Sequence, residues 1–372
     1  MKFTVNKQAF FECLQRMITV VPAKTTIPIL TNILVEASGQ RLKLTGTDLE
    51  VSVVTALDVI GEDDGMAAFP AKKLFDLIRE LPDLPLAFEA DHAHRLTIRT
   101  EKGQYRISGE SSDEYPHIAA EEQPQVFSYP ASRFLGLVDK TLFAVSADEL
   151  RTTLMGVLLE LRANEMRLVA TDGHRLVKIR DLQCSYQGEA TQVIMPVKAL
   201  QLLGRNFEQS ENLEIAISRD HITFKLGATT IYSKVISGQY PAYERVIPTT
   251  NDLTMTTDRD LLSAVVRRAS IFASQHTHQV RWHLDPGALT VVAEDIETGG
   301  NSRETVAVEY AGNSMEIGYN AHYVLDVLRH LDSEQALFKL KDSGSAAIIE
   351  PVPQKEGIDL MMLLMPIRLN ES

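Results

Sequence analysis

Cysteine is scarce in this chain: its 372 residues include only Cys13 and Cys184. Two thiols so far apart fit neither a disulfide framework nor a metal-ligand spacing, so reduced thiols and a cytoplasmic setting are expected. No run approaches the ~18 uninterrupted apolar residues of a membrane helix. The opening MKFTVNKQAF lacks the apolar stretch of a secretion signal. No membrane partner is expected. A glycine-rich phosphate loop is missing, and no His or acid cluster has metal spacing, so no metal and no cofactor are expected. Basic residues are the minority: 37 Lys and Arg face 50 Asp and Glu, leaving a net charge of −13. As a total, that charge opposes nucleic-acid binding.

What the chain does have is repetition. Asp48, Asp172 and Asp295 recur at intervals of roughly 124 residues, a domain-sized period. Each is preceded at six and four residues by apolar pairs: Leu42 and Leu44, Met166 and Leu168, Leu289 and Val291. A small residue stands two positions before each: Gly46, Ala170 and Ala293. Every repeat opens with helical spacing, as in Phe10, Leu14, Met17, Ile18 and Val21. Alternating segments such as Arg41-Leu42-Lys43-Leu44-Thr45 then predict strands with one wet face. A second helix follows in each copy, opened by Pro70, by Pro196 or by the capping residue Asn320. The expected architecture is α+β: three similar domains, each helix–strands–helix–strands, over 1–122, 123–248 and 249–372. Residues 120–124 and 248–252 read as linkers.

Charge is segregated along this plan. Predicted helices cover 6–20, 71–80, 131–145, 197–206, 258–270 and 321–331. Together they carry 13 basic and 7 acidic residues, a net +6 within a chain of −13. If they share a surface, it suits a polyanion, and Arg133, Lys198, Arg205 and Arg268 are its candidate phosphate contacts. No aromatic residues are interleaved with this basic set, so duplex phosphate contact fits better than base stacking.

Thr171-Asp172-Gly173-His174-Arg175-Leu176 admits two readings. Asp172 and His174 could form an acid–base pair, although no activated Ser or Cys accompanies them. The favoured reading is a tight turn capped by Asp172, with Gly173 supplying backbone freedom, because Asp48 and Asp295 occupy equivalent places. A peptide-binding repeat scaffold that does not bind DNA is a third possibility, opposed by the basic helices.

Several segments resemble one family from end to end: MKFTV at the start, TGTDLEVSV at 45–53, PAKKLFDLIRELP at 70–82, VATDGHRL at 169–176, SGQYPAYERVIP at 237–248, EIGYNAHYVLDVLRHL at 316–331 and LLMPIRL at 363–369. The chain resembles the beta subunit of bacterial DNA polymerase III, the replicative sliding clamp. That resemblance implies a non-catalytic processivity factor acting as a head-to-tail homodimer. Six similar domains would surround double-stranded DNA, with helices lining the hole. It also implies a peptide groove shared by the replicative polymerase catalytic subunit, the clamp loader, and other polymerases and repair proteins.

Carried over by position, the groove comprises Leu154, Thr171, Gly173, His174, Arg175 and Leu176, then Pro241, Arg245 and Val246. The third domain adds Asn320, Tyr323, Met365, Pro366, Ile367, Arg368 and Leu369. The structural alternative for 363–366 is a final edge strand packed on the core. For DNA the resemblance points to Lys24, Lys72 and the loop from Asp148 through Arg151 and Thr152 to Thr153. For the dimer interface the first domain offers Lys73, Leu77, Arg95, Lys102, Tyr105 and Ile107. The third offers Ile271 and Phe272 with Glu294, Glu297 and Glu304. Gly344, Ala346 and the tail Asn370-Glu371-Ser372 depart from the family pattern and are expected to alter the groove's shape.

Overall fold

The computed structural model describes residues 1–118, 124–205 and 212–369. The first expected linker falls largely outside these residues, as does the tail from 370. Two compact units emerge: the described residues of Met1–Phe134 with Met195–Val235, and Leu135–Ile194 with the described residues from Ile236 onward.

In the first unit an eight-stranded antiparallel sheet joins residues distant in sequence. Thr229–Lys234 pairs with Val51–Asp58, and the hydroxyls of Thr55 and Thr229 meet at 2.9 Å in the buried seam. A five-stranded sheet is built around Lys2–Asn6, which pairs with Pro85–Ala90. Helix α1 (Lys7–Ile18) is capped by Asn6, whose side chain accepts from the Ala9 amide at 3.0 Å. Its spacing buries Phe10, Cys13, Leu14 and Met17. It pairs with α2 (Ala71–Glu80) through stacked Phe11 and Phe75, 5.3 Å apart.

The small residue before Asp48 now has a reason. A Cβ on Gly46 would lie 3.2 Å from the methyls of both Val20 and Val21, which fold back beyond α1. Their amides return to the Met17 carbonyl, so the helix stops at Ile18 instead of reaching residue 20. The remaining helices are α3 (Ala131–Leu142), α4 (Val197–Arg205), α5 (Arg259–Ser270) and α6 (Ala321–Arg329). Here α3 and α6 also end earlier than periodicity alone suggested. At the end of α6, the His330 amide turns back to Val327 in a tighter turn.

In the second unit a nine-stranded sheet places Ile358–Leu364 between Arg175–Asp181 and Ala347–Val352. The expectation of an edge strand there is overturned: both sides of the strand are hydrogen-bonded. A four-stranded sheet orders Gly300–Ala307, Ala288–Asp295, Gln279–Asp285 and Met315–Asn320. Asp258 caps α5 by accepting from the Leu261 amide at 2.7 Å, and Asn320 caps α6.

The three equivalent aspartates all cap turns. Asp48 accepts from the Glu50 and Val51 amides at 2.9 and 2.7 Å. Asp172 accepts from His174 and Arg175 at 2.9 and 3.0 Å. Asp295 accepts from Glu297 at 3.1 Å. Gly173 has φ +92°, whereas the first repeat places Leu49 at φ +76° in the same position.

Candidate functional site

One face of the nine-stranded sheet changes character along its strands. Leu158, Val169, Leu176, Met361 and Leu363 form an apolar floor with Leu154, Tyr240, Tyr243 and Ala346. On neighbouring strands, a few residues further along, stand Glu160, Arg167, Arg180 and Asp359. The segment 240–250 covers the apolar part and leaves a cavity of about 670 Å³. Its shape and lining suit an apolar ligand with a few oriented polar groups.

A buried charge network holds that cover. Arg167 donates to the Tyr243 hydroxyl at 2.7 Å and to Glu244 at 2.8 Å, and pairs with Glu165 at 2.9 Å. Tyr243 in turn donates to Glu160 at 2.7 Å. Burial pushes the Tyr243 hydroxyl up to about 12, so it keeps its proton for that bond at neutral pH. The short helical turn Tyr243–Val246 therefore sits at a fixed height, with Val246 57% exposed at the mouth.

Of the expected groove residues, Leu154, Thr171, Gly173, Arg175, Leu176, Pro241, Val246 and Met365 line this cavity. The others do not. Arg245 is exposed, beside the mouth. Asn320 is occupied in capping, and Tyr323 lies beneath Arg175, whose guanidinium carbon is 4.5 Å from its ring centre. His174 is 6.0 Å from the same ring, making a second cluster that shares Arg175 with the cavity. Ile367 bridges to Gly318, and Leu369 lies against Gly318 as well. Pro366 and Arg368 stand between and before these anchors, Arg368 exposed.

Residues absent from the expected set complete the wall: Ala242, Tyr243, Ile247, Pro248, Thr249, Thr250, Lys341, Ser345 and Leu363, together with the already noted Ala346. Ala242, Tyr243, Ile247 and Pro248 belong to the matched segment SGQYPAYERVIP, and Leu363 to LLMPIRL. Thr249, Thr250, Lys341, Ser345 and Ala346 arrive through tertiary folding. The expected linker 248–252 also forms wall: Pro248, Thr249 and Thr250 line the cavity, and Asn251 donates to the carbonyls of Lys339 and Ala346, each at 2.9 Å.

An acid–base pair does not form. The carboxylate of Asp172 is taken by two amides and by Arg175 at 3.0 Å, while the His174 ring faces Tyr323. Among the described residues no cluster could hold a metal.

The expected phosphate contacts divide by their partners. Lys24 and Arg205 are exposed with no ion-pair partner among the described residues. Lys72 pairs with Asp76 at 2.9 Å, Lys198 with Asp48, and Arg268 with Glu304. Arg133 is half-buried. In the loop 148–153, Arg151 pairs with Asp148 at 2.8 Å and donates to the Asp172 carbonyl at 2.9 Å. Asp148 thus serves as a turn and ion-pair partner. Thr152 and Thr153 begin a short helical turn that leads to Leu154.

Among the expected interface residues, Ile107 is corrected. It is 3% exposed, whereas Tyr105, on the same face of the strand two residues earlier, is 36% exposed nearer the strand's start. Arg95 is committed to Asp91 at 2.8 Å. Lys73 and Lys102 are exposed and Leu77 is half-buried. Ile271 and Phe272 lie beyond the end of α5 at 75% and 40% exposure, so they do not finish its core face. Glu294 and Glu297 are exposed nearby in sequence, and Glu304 is half-buried against Arg268.

With this geometry in hand, comparison with known proteins is unambiguous. Models of the N-terminal, central and C-terminal domains of the DNA polymerase III beta subunit match residues 1–119, 129–242 and 244–368. The beta sliding clamp of Pseudomonas aeruginosa is 34% identical over 374 residues, covering 99% of this chain and 100% of that protein. A crystal structure of a P. aeruginosa DNA polymerase sliding clamp with ligand superposes with a TM-score of 0.94 at 34% identity, again over 99% and 100% of the two chains. A second, bound to griselimycin, gives 0.94 at 33% identity over the same shares. The fold is that of the DNA clamps, which are processivity factors and not enzymes. The chain belongs to the bacterial DNA polymerase III beta subunit family, the beta sliding clamps.

Proposed function

We propose that the protein acts as a head-to-tail homodimeric ring around double-stranded DNA, each chain contributing three domains over 1–122, 123–248 and 249–372. Its cavity captures linear segments of the replicative polymerase, the clamp loader, and other polymerases and repair proteins. The observation that carries this reading is the cavity itself: an apolar floor under a cover fixed by Arg167 and Tyr243. Such a slot with a polar rim suits an extended peptide. Griselimycin bound to a P. aeruginosa clamp supports a ligand-competent surface in the family.

DNA contact is sequence-blind and rests on Lys24, Lys72, Arg133, Lys198, Arg205, the 148–153 loop and Arg268 acting together. The dimer forms through Lys73, Leu77, Arg95, Lys102 and Tyr105 of one chain against Ile271, Phe272, Glu294, Glu297 and Glu304 of the other. Among the described residues no helix is long and apolar enough to cross a membrane, and the protein works in the cytoplasm on DNA.

Retention on DNA at high salt tests the reading, comparing circular with linear duplex after loading by the cognate clamp loader. Retention on circles with loss from linear ends is expected. Equal loss from both would leave only the peptide-binding scaffold.

A further inference from the structure

Lys178 stands on the interior strand Arg175–Asp181, between Val169 on one neighbouring strand and Met361 on the other. Both neighbours are apolar and buried, and residues directly opposite on paired strands share a face of the sheet. On that bed Lys178 is half-buried. It has no hydrogen-bond or ion-pair partner among the described residues.

The acids around it are committed elsewhere. Two residues along the same face, Arg180 donates to Asp359 at 2.7 Å. Arg167, directly opposite Arg180, takes Glu244 at 2.8 Å and Glu160 at 3.3 Å. An amine thus lies on apolar side chains, with two guanidinium groups nearby and no carboxylate of its own. Burial, and then Arg180, hold its pKa below the ordinary lysine value, and Asp359 opposes them without restoring it. At neutral pH a larger share of Lys178 is therefore free amine than of an exposed lysine. Desolvation and a cationic neighbour are both conditions that make a lysine nucleophilic.

We propose that Lys178 is a covalent modification site, acylated without an enzyme by small acyl phosphates. Its position restricts the donor. A half-buried amine on a central strand does not extend into a transferase cleft as an exposed lysine does, whereas a small acyl phosphate reaches it. The amine lone pair attacks the carbonyl carbon, and a C–N bond forms. The C–O bond to phosphate breaks, its electron pair leaves on inorganic phosphate, and the amine proton passes to water. The product is a neutral amide, so a partly desolvated charge disappears and no ion pair is lost with it. The chemistry needs neither ring closure nor peptide capture.

The test treats the full-length protein with acetyl phosphate near neutral pH and follows each lysine by peptide mass mapping. Lys178 should be acetylated about threefold faster than the exposed Lys24 and Lys102. In denaturant that lead should vanish. Arg180→Gln releases Asp359 to pair with Lys178 and should slow the site to the rate of Lys24. Labelling of Lys178 no faster than that of Lys24 and Lys102 in the folded protein would overturn the proposal. So would a lead that survives denaturation, which would assign it to local sequence, or an unchanged rate in Arg180→Gln.

Discussion

Arg167 and Tyr243 join the floor of the cavity to its cover through one hydrogen bond of 2.7 Å. The guanidinium is buried on a central strand, and the phenol belongs to the segment that roofs the site.

Arg167→Met should therefore cost stability and site geometry together. It leaves Glu165 largely buried without its cation and Glu160 with only Arg162 at 3.6 Å, a loss of about 3 kcal/mol for a broken buried pair. Chemical denaturation followed by near-ultraviolet signals would measure it. The variant should also bind cavity ligands less tightly. An unchanged unfolding midpoint would mean that the carboxylates find other partners.

Leu49→Gly should be stabilising. Leu49 adopts φ +76° and is 41% exposed, so the left-handed strain outweighs the burial it contributes. Allowing for glycine's extra entropy, a gain of roughly 0.5 kcal/mol is expected. The equivalent turn of the second repeat already uses Gly173. A lowered melting temperature would show that Leu49 has an unrecognised packing role.

Lys198 and Arg205 lie on one helix but should affect DNA binding differently. Lys198 is already paired with Asp48, while Arg205 has no ion-pair partner among the described residues. Arg205→Ala should lower the salt slope of binding by about 0.9, the value for one phosphate contact. Lys198→Ala should lower it by less. Equal reductions would show that DNA displaces Asp48.

His278 stacks on His322 with ring centres 4.1 Å apart. Burial, then His322, then His276 hold its pKa below the ordinary histidine value. As pH falls, the unfolded chain takes up this proton before the folded one does. The stability is thus complete above about pH 6.5, and declines as pH falls through that value toward the depressed folded pKa. His322→Gln should raise the His278 midpoint in an NMR titration. A midpoint that stays put would assign the shift to burial and His276.

Local pattern and repetition made much of this molecule legible. The core faces of α1 and α5, the Asn320 cap and the turn role of Asp172 all follow from spacing and from Asp48 and Asp295 as internal controls. Contacts over long sequence separation were not legible. Nothing near Thr55 announces Thr229, and nothing near Leu363 announces that its strand is interior. The cavity was half legible for the same reason. Thr171 to Leu176 and Pro241 to Val246 lie in matched segments, but Lys341 and Thr250 reach the wall only because Asn251 bridges to Lys339 and Ala346. Ile107 was misread because it shares a strand face with Tyr105, and spacing alone does not show which of the two the core covers.

The strand Ile358–Leu364 lies between two others, and its Asp359 pairs with Arg180, 179 residues earlier. During synthesis, Arg175–Asp181 must wait for this partner while most of the second unit is still being made. Leu363 and Met365 are among the cavity's walls. A nascent chain therefore has no finished site to offer until the residues through Met365 have been made and folded.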